Sequence, residues 1–398
     1  MSQSNTKVYD LIISGAGVPG ASLALAAADL GLSIALIDRR EALASTTDTR
    51  TTAFMPESLS FLDSLGLLDP VQDQAQALNA MILLDDAGGH RDKPRQLDFK
   101  GAKGAPLALN IPNRALAEGQ VAALAERSDQ VDLFLGLTPV RARVSEGMAL
   151  MTLSNGQVLR AKIAVAADGR SSPIREALGI GWQGYSTSQT ALTARLRHSL
   201  PHEGVSREFH RAAGPMTLVP VAGDGHDSAL VWCLSNSVAE QVKVLDEAAF
   251  IQRVQLASGG LIGVVESVSA RASFPVRPGM AKALHKGPFA LVAEAAHALP
   301  PLLAQGLNLS LKDVEVLVGC LAKEGPSSKA LSTYAAARQA DMRVRLGISE
   351  GLNHVLQQGN PLLDMAYRRG FKGLQTFAPL RNLAVRIGQR GRQDLPEA

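Results

Sequence analysis

The sequence predicts an α/β protein: a parallel βαβ domain opens the chain, an antiparallel sheet is inserted into it, and helices close it. Three observations predict this. A strand, a glycine turn, a helix and a second strand fill the first 38 residues, a strand-rich middle follows, and helical periodicity takes over from Asp313.

Val8 to Ser14 is a short apolar run that ends in glycines, the mark of a buried strand entering a tight turn. Ala21 to Leu30 continues with alanine and leucine at helical density until Gly31 stops it, and Ser33 to Asp38 reads as a second buried strand. The uncharged run from Leu11 to Ala28 approaches the length of a membrane span. Gly15, Gly17, Pro19 and Gly20 interrupt it, which favours strand, turn and helix. Glu57 to Leu68 carries a helical stripe of Leu59, Phe61, Leu62, Leu65 and Leu68 that stops near Asp69-Pro70, and Leu116 to Leu124 is predicted helical as well. The strands expected next are Leu133 to Leu135, Met148 to Leu153, Val158 to Val165, Met216 to Val221 and Ser228 to Leu234, divided between two sheets. Helices are expected over Val314 to Leu321, Ala330 to Leu346 and Ile348 to Leu356.

At 398 residues the chain is long enough for two domain-sized units, and 46% hydrophobic with 19% charged residues is a globular composition. Forty basic against thirty-seven acidic residues leave +3, too little to argue for a nucleic-acid partner. Cys233 and Cys320 stand far apart and form neither a CxxC pair nor a disulfide framework, so both read as structural thiols in a reducing cytosol. Met1 to Asp10 is polar and lacks a secretory layout.

Gly15-Ala16-Gly17-Val18-Pro19-Gly20 is a GxGxxG turn between strand and helix. Gly15 allows the tight turn, Gly17 lets the backbone approach a pyrophosphate, and Gly20 lets helix and strand pack closely. Asp38, at the end of the next strand, can accept hydrogen bonds from the ribose hydroxyls of an adenosine group. These residues indicate a dinucleotide and do not choose between FAD and NAD.

Two later segments bear on the choice. Asp168-Gly169-Arg170-Ser171-Ser172-Pro173-Ile174-Arg175 resembles the DGxxSxxR motif of flavoprotein aromatic hydroxylases. Ala293-Glu294-Ala295-Ala296-His297-Ala298-Leu299-Pro300-Pro301, continuing into Ala304-Gln305-Gly306-Leu307-Asn308, resembles their GDAAHxxPP motif. Asp48-Thr49-Arg50-Thr51-Thr52-Ala53, Asn113-Arg114-Ala115-Leu116 and the pattern Tyr334, Arg338, Asp341, Arg345 are similar to the ubiquinone-biosynthesis branch of that family. The resemblance implies a Rossmann-like FAD-binding domain, over residues 1–75, 101–180 and 276–346, with a substrate domain over 76–100 and 181–275 and a helical region over 347–398.

Carried over residue by residue, the resemblance implies that Gly15, Gly17, Pro19, Gly20, Asp38, Arg39, Arg50, Arg114, Asp168, Gly169, Glu294, Pro301, Gly306, Leu307 and Asn308 hold FAD. Pro301 and Gly306 would form the environment of the flavin ring. It implies no metal. It also implies that NAD(P)H reduces the flavin and that O2 adds to give a C4a-hydroperoxide, which hydroxylates a phenolic ring, most simply that of a prenylated ubiquinone precursor. His297 reads either as a loop residue capping a strand end or as a residue beside the flavin. Ala293, Glu294, Ala304 and Ser310 depart from the family pattern, and the lost glycines bear on FAD affinity.

A soluble phenol or hydroxybenzoate hydroxylase is a second reading, and a non-catalytic scaffold for other ubiquinone-biosynthesis proteins a third. Between Arg368 and Arg392 there are seven basic and no acidic residues, interleaved with Phe371, Leu374, Phe377, Leu380, Leu383 and Ile387. This stretch is either a docked terminal helix or a peripheral contact with the inner face of a membrane. Phe209, Met216, Leu218, Val231 and Trp232 alternate as strand residues do and fit either a substrate pocket or a core.

Overall fold

The computed structural model describes residues 7–44, 48–85, 95–101, 105–184, 187–211, 213–301 and 305–358. The opening unit is as predicted: β1 (Val8–Ser14), α1 (Val18–Asp29) and β2 (Ile34–Asp38). It is followed by β3 (Thr51–Phe54), β4 (Ala108–Pro112), α2 (Asn113–Ala125), β5 (Val131–Leu135) and β6 (Val158–Ala166). Strands β5, β2, β1 and β6 lie parallel in that order, and Phe289–Leu291 extends the parallel run beyond β6. Every residue of β2 is buried, which is why it reads as an unbroken apolar run instead of an alternating one. Helix α1 is buried from Gly20 to Ala28. Its small side chains let α2 and the later helix Gln305–Glu324 pack closely on it.

Strands β3 and β4 form a small antiparallel sheet with Gln76–Leu78. The larger inserted sheet contains β7 (Gln189–His198), β8 (Val205–His210), β9 (Met216–Pro220) and β10 (Asp227–Ser235), in the spatial order β7, β10, β9, β8. Ala80–Asp85 and Arg95–Lys100 complete one edge. The sheet departs from the expected antiparallel pattern at one place, where Ala80–Asp85 pairs with β8 in parallel. Over a hundred residues separate these two strands, so no hairpin constrains their direction.

Two helices absent from the sequence expectation, α3 (Asn236–Lys243) and α4 (Glu247–Ser258), cover one face of this sheet. Ser235 and Asp246 cap them, and Gly259 ends α4 at a φ of +61°. Phe209, Met216, Leu218 and Trp232 form one core with Val242, Phe250 and Val254 of these helices. Four of the five candidate pocket residues are therefore core, and Val231 alternates onto the opposite face.

The chain closes with α5 (Gln305–Glu324) and α6 (Ser328–Gln358). The expected break between Leu346 and Ile348 is absent, because the helix continues through Gly347. Among the described residues no helix is long and apolar enough to cross a membrane. Residues 368–392 lie outside the described residues.

Candidate functional site

The turn from β1 into α1 shows which of its glycines serve folding. Gly15 has φ +98°, and a Cβ there would lie 2.4 Å from the carbonyl oxygen of Ala167. A Cβ on Gly20 would lie 1.8 Å from the carbonyl oxygen of Gly15. At Gly17 a Cβ would meet, among the described residues, only the Pro19 ring, at 3.9 Å, so this glycine faces space open among them. Gly17 is also the N-cap of α1. Among the described residues no side chain caps the helix, its first turn contains no acidic residue, and Pro19 sits in that turn. The helix thus presents free amides and partial positive charge to the space above Gly17.

Asp38 is buried beside this turn and accepts hydrogen bonds from the Ala16 N–H at 2.7 Å, the Arg40 N–H at 2.9 Å and Arg40 Nε at 2.8 Å. Burial acts to raise its pKa, but Arg40 and the backbone donors hold it below the ordinary carboxylate value. Arg40 also donates to the Ala16 carbonyl at 2.9 Å and so ties the glycine turn to the end of β2. Arg39, the neighbour implied by the resemblance, is exposed, whereas the residue on Asp38 is Arg40. Two arginines in a row after Asp38 were the available signal, and only the exit direction of the chain separates them.

The end of β6 meets the same turn. The Ala167 N–H donates to the Ser14 carbonyl at 2.7 Å, and the Ser14 hydroxyl lies 3.4 Å from Asp168 Oδ2. Asp168 Oδ1 is buried and, among the described residues, has no hydrogen-bond partner; burial raises the pKa of this carboxyl. Next to it Gly169 has φ +85° and open space where a Cβ would be. A buried acceptor without a donor beside an open glycine is what a hydroxyl-bearing ligand would satisfy.

Glu294 is exposed and pairs with Arg170 at 3.3 Å, and its charge adds to that of Asp48 in raising the pKa of Arg50. Arg50 is bound to Asp48 at 2.8 Å, and Arg114, at the start of α2, to Glu118 at 2.7 Å. The Asn113 N–H donates to the Arg50 carbonyl at 3.0 Å, so Arg50 and the first turn of α2 share one corner. From α2, Gln120 Nε2 reaches the Val18 carbonyl at 2.9 Å and so docks this corner on the start of α1. At the other end of β3, Asn308 donates to the Ala53 carbonyl at 2.9 Å and accepts from the Met55 N–H at 2.8 Å. The Asn308 side chain therefore locks β3 to the first turn of α5. Gly306 stands exposed in that turn, and among the described residues nothing lies within 4 Å of a Cβ position there. Pro301 and Leu307 are half-buried nearby in sequence, and Ala304 lies outside the described residues.

Behind these surfaces lies a charge network that the sequence reading missed. Asp313 is fully buried and accepts from the Ala293 N–H at 2.9 Å, His297 Nε2 at 2.7 Å and Arg338 Nε at 2.9 Å. Arg338 continues to Asp341, and the Tyr334 hydroxyl donates to the Leu291 carbonyl at 2.9 Å. His297 is therefore a buried structural partner of Asp313. The pattern Tyr334, Arg338, Asp341 pins α6 to the loop carrying Glu294, while the Arg345 side chain lies outside the described residues.

Of the departures from the family pattern, Ser310 is a buried helix residue whose hydroxyl bonds the Gly306 carbonyl at 2.9 Å. Ala293 sits at φ +55°, in the left-handed region. That conformation costs an alanine about 1–2 kcal/mol, of which the greater freedom of an unfolded glycine would take back about 0.4–1 kcal/mol. Ala293→Gly is thus expected to stabilise the protein by about 0.5–1 kcal/mol, read as a higher urea midpoint. An unchanged or lower midpoint would show that the methyl group makes compensating contacts.

Hydrogen bonds and ion pairs thus link the glycine turn to the Asp168 loop and that loop to Glu294, and link Arg50 through α2 to the start of α1 and through β3 to the start of α5. Together they offer two helix N-termini, a carboxylate oxygen unpartnered among the described residues and three open glycines, two of them at the carboxyl ends of β1 and β6. This fits an extended dinucleotide with an anionic centre and hydroxyl groups.

The model of the family described as "FAD binding domain" matches residues 8–344. The ubiquinone hydroxylase UbiL of Rhodospirillum rubrum is 30% identical, over 96% of this chain and 90% of its own. The 3-demethoxyubiquinol 3-hydroxylase of Escherichia coli is 25% identical, over 96% of this chain and 95% of its own. The fold is similar to p-nitrophenol 4-monooxygenase from Pseudomonas putida, with TM-score 0.79 at 18% identity over 97% of this chain and 99% of that one. It is also similar to Klebsiella pneumoniae HpxO complexed with FAD, with TM-score 0.75 at 16% identity over 97% and 100%.

Proposed function

The chain belongs to the FAD-binding family that spans its residues 8–344, and from that membership we propose that it hydroxylates the aromatic ring of a polyprenylated phenol in ubiquinone biosynthesis. It is an FAD-dependent monooxygenase that uses NAD(P)H as reductant and O2 as co-substrate. Bound FAD supplies the redox chemistry that passes electrons from NAD(P)H to O2.

The protein's own part is binding, orientation and exclusion of water. The amides at the start of α1, opened by Gly17, would hold the pyrophosphate. Asp38, shared with Arg40, would take the adenosine ribose. Asp168 and Gly169 would meet the hydroxyl-bearing middle of the cofactor, with Glu294, Arg50 and Arg114 around it. The start of α5, at Gly306, Leu307 and Asn308, would face the ring next to Pro301 and favour negative charge there by about 0.3–2 kcal/mol.

The observation that carries this reading is the buried Asp168 carboxyl beside the uncapped glycine turn, with Oδ2 3.4 Å from the Ser14 hydroxyl and Oδ1 without a partner among the described residues, which asks for a polar ligand. A prenyl tail also asks for apolar access. The basic and apolar interleaving of residues 368–392, outside the described residues, supports peripheral contact with an anionic membrane surface.

Purified protein is expected to be yellow, to bleach with NADPH and to hydroxylate a 2-prenylphenol with O2. A colourless protein that takes up no added FAD would overturn the enzyme reading in favour of a scaffold. Turnover of small phenols, with normal ubiquinone in a deletion strain, would move the substrate to a soluble phenol.

A further inference from the structure

We propose that Glu208, paired with His210 on the inner face of the inserted sheet, is the catalytic base that takes the proton of the substrate phenol. The assignment rests on the reading of the chain as a phenol hydroxylase.

The face is fixed by strand alternation. Phe209 packs under α3 and α4, so Glu208 and His210, its neighbours in β8, project from the opposite face. Across the sheet the register runs Glu208 to Thr217, Thr217 to Val231 and Val231 to Thr193, which places these four side chains on that one face. Val219, two residues beyond Thr217, packs against Ala53, Leu78 and Ala108 beside Met55. Ala53 and Met55 are the backbone partners of Asn308, and the Asn110 side chain donates to the Pro220 carbonyl at 2.7 Å. The Glu208 face therefore turns toward the corner where β3 meets the first turn of α5.

The pair itself is unusual for a core. Glu208 is 0% and His210 1% exposed, and His210 Nε2 lies 2.7 Å from Glu208 Oε1. Glu208 Oε2 has no hydrogen-bond partner among the described residues. Its neighbours in register on the other side are apolar, Leu83 and then Leu97. A structural ion pair would satisfy both carboxylate oxygens, since a buried acceptor left open costs about 1–3 kcal/mol. A buried acceptor left without a partner on the face that turns toward this corner, with its twin held by a histidine, suits one incoming O–H donor. Cys233 lies near enough that the charge of Glu208 adds to burial in pushing its thiol to about 12. It therefore remains protonated and does not compete as a base.

In the step, the substrate O–H bond breaks, the proton goes to Glu208 Oε2, and the electron pair stays on the phenolate oxygen. The phenolate is more electron-rich at its ring carbons than the phenol, which is what an electrophilic oxygen donor requires. When product forms and its hydroxyl is restored, the proton returns from the Glu208 carboxyl, and the residue ends in its starting state. His210 acts as a positioning residue that fixes the rotamer of the carboxylate.

The test compares Glu208→Gln with the unaltered holoenzyme on a 2-prenylphenol and on a ring-fluorinated 2-prenylphenol that is already ionised at the assay pH. FAD content and substrate-induced flavin absorbance changes serve as binding readouts. The variant is expected to keep FAD and to bind both compounds within a few-fold of the unaltered protein. Hydroxylation of the ordinary phenol should fall about 100-fold or more, and that of the ionised phenol less than about tenfold. Equal losses on both compounds, or no loss on either, would overturn the assignment. Should Glu208→Gln fail to fold, Glu208→Asp carries the comparison, with a larger ratio between the two compounds expected than in the unaltered protein. A holoenzyme that binds FAD yet hydroxylates no phenol removes the functional reading as well, whereas active holoenzyme with an unaffected Glu208→Gln removes the base alone.

Discussion

Asp313→Ala is expected to destabilise the protein by about 3–5 kcal/mol and to lower its FAD content. The carboxylate is fully buried and takes three donors: Arg338, His297 and the N–H of Ala293. Removing it leaves the guanidinium of Arg338 and the ring of His297 in the interior with their main acceptor gone, and a cation without its partner is the costly half of a broken buried pair. Asp341 still holds one end of Arg338, which keeps the loss from being larger. The effect also reaches the site, because the left-handed turn at Ala293 that presents Glu294 is anchored through that same carboxylate. Asp313→Asn keeps the shape but swaps an acceptor for a donor, so an intermediate loss is expected. Urea denaturation with parallel flavin absorbance measures both. A loss below about 1 kcal/mol for Asp313→Ala would mean that the network contributes little beyond packing.

Acid should reveal the same residue. Burial acts to raise the Asp313 pKa, yet the charges of His297 and Arg338, with the donors on it, hold it below the ordinary carboxylate value of 3.8. A depressed folded-state pKa gives stability that is fully present above the unfolded value and is lost as pH falls through the lower folded one. The wild-type stability attributable to Asp313 is therefore constant from neutral pH to about 5 and disappears only below about 4. The gap between wild type and Asp313→Ala should narrow in that same range.

What could be read from the sequence was local in the chain. Gly15, Gly20 and Asp38 are fixed by the geometry of one βαβ unit, and their spacing carries that geometry. Asp313 has no such signature, since its partners come from a loop before it and a helix after it and meet only when α5 and α6 pack. The resemblance picked out Tyr334, Arg338 and Asp341 without showing that Arg338 among them meets Asp313. Arg39 and Arg40 differ only in which way the chain leaves β2. Helices α3 and α4 were missed because the alternating strands around them drew the reading toward sheet, although Ser235, Asp246 and Gly259 stand where caps belong. Glu208 was hidden for a similar reason. Alternation marks Phe209 as apolar but does not say which face of the sheet meets the cofactor domain.

Gly17→Ala and Gly20→Ala, one position inside the same motif and one at its end, are expected to fail in different ways. At Gly20 the new methyl would stand 1.8 Å from the Gly15 carbonyl oxygen, a backbone atom that cannot rotate away. Helix α1 must then shift against β1, and overpacking of this kind costs about 1–3 kcal/mol or more with or without cofactor. At Gly17 the backbone is extended, with φ −66° and ψ 176°, so alanine fits the conformation and meets only the Pro19 ring. The apoprotein should unfold within about 1 kcal/mol of wild type, the small loss reflecting alanine at an N-cap. The methyl does, however, occupy the space through which the pyrophosphate approaches the helix amides, and about 1–3 kcal/mol of steric cost there weakens FAD binding by about 5- to 150-fold. Apoprotein melting and FAD titration together separate the two. Wild-type FAD affinity in a well-folded Gly17→Ala protein would mean that the phosphates lie elsewhere. The cradle built from the glycine turn, Asp168 and the start of α5 would then have to be abandoned as the cofactor site, while the parallel sheet and its packing would stand unchanged.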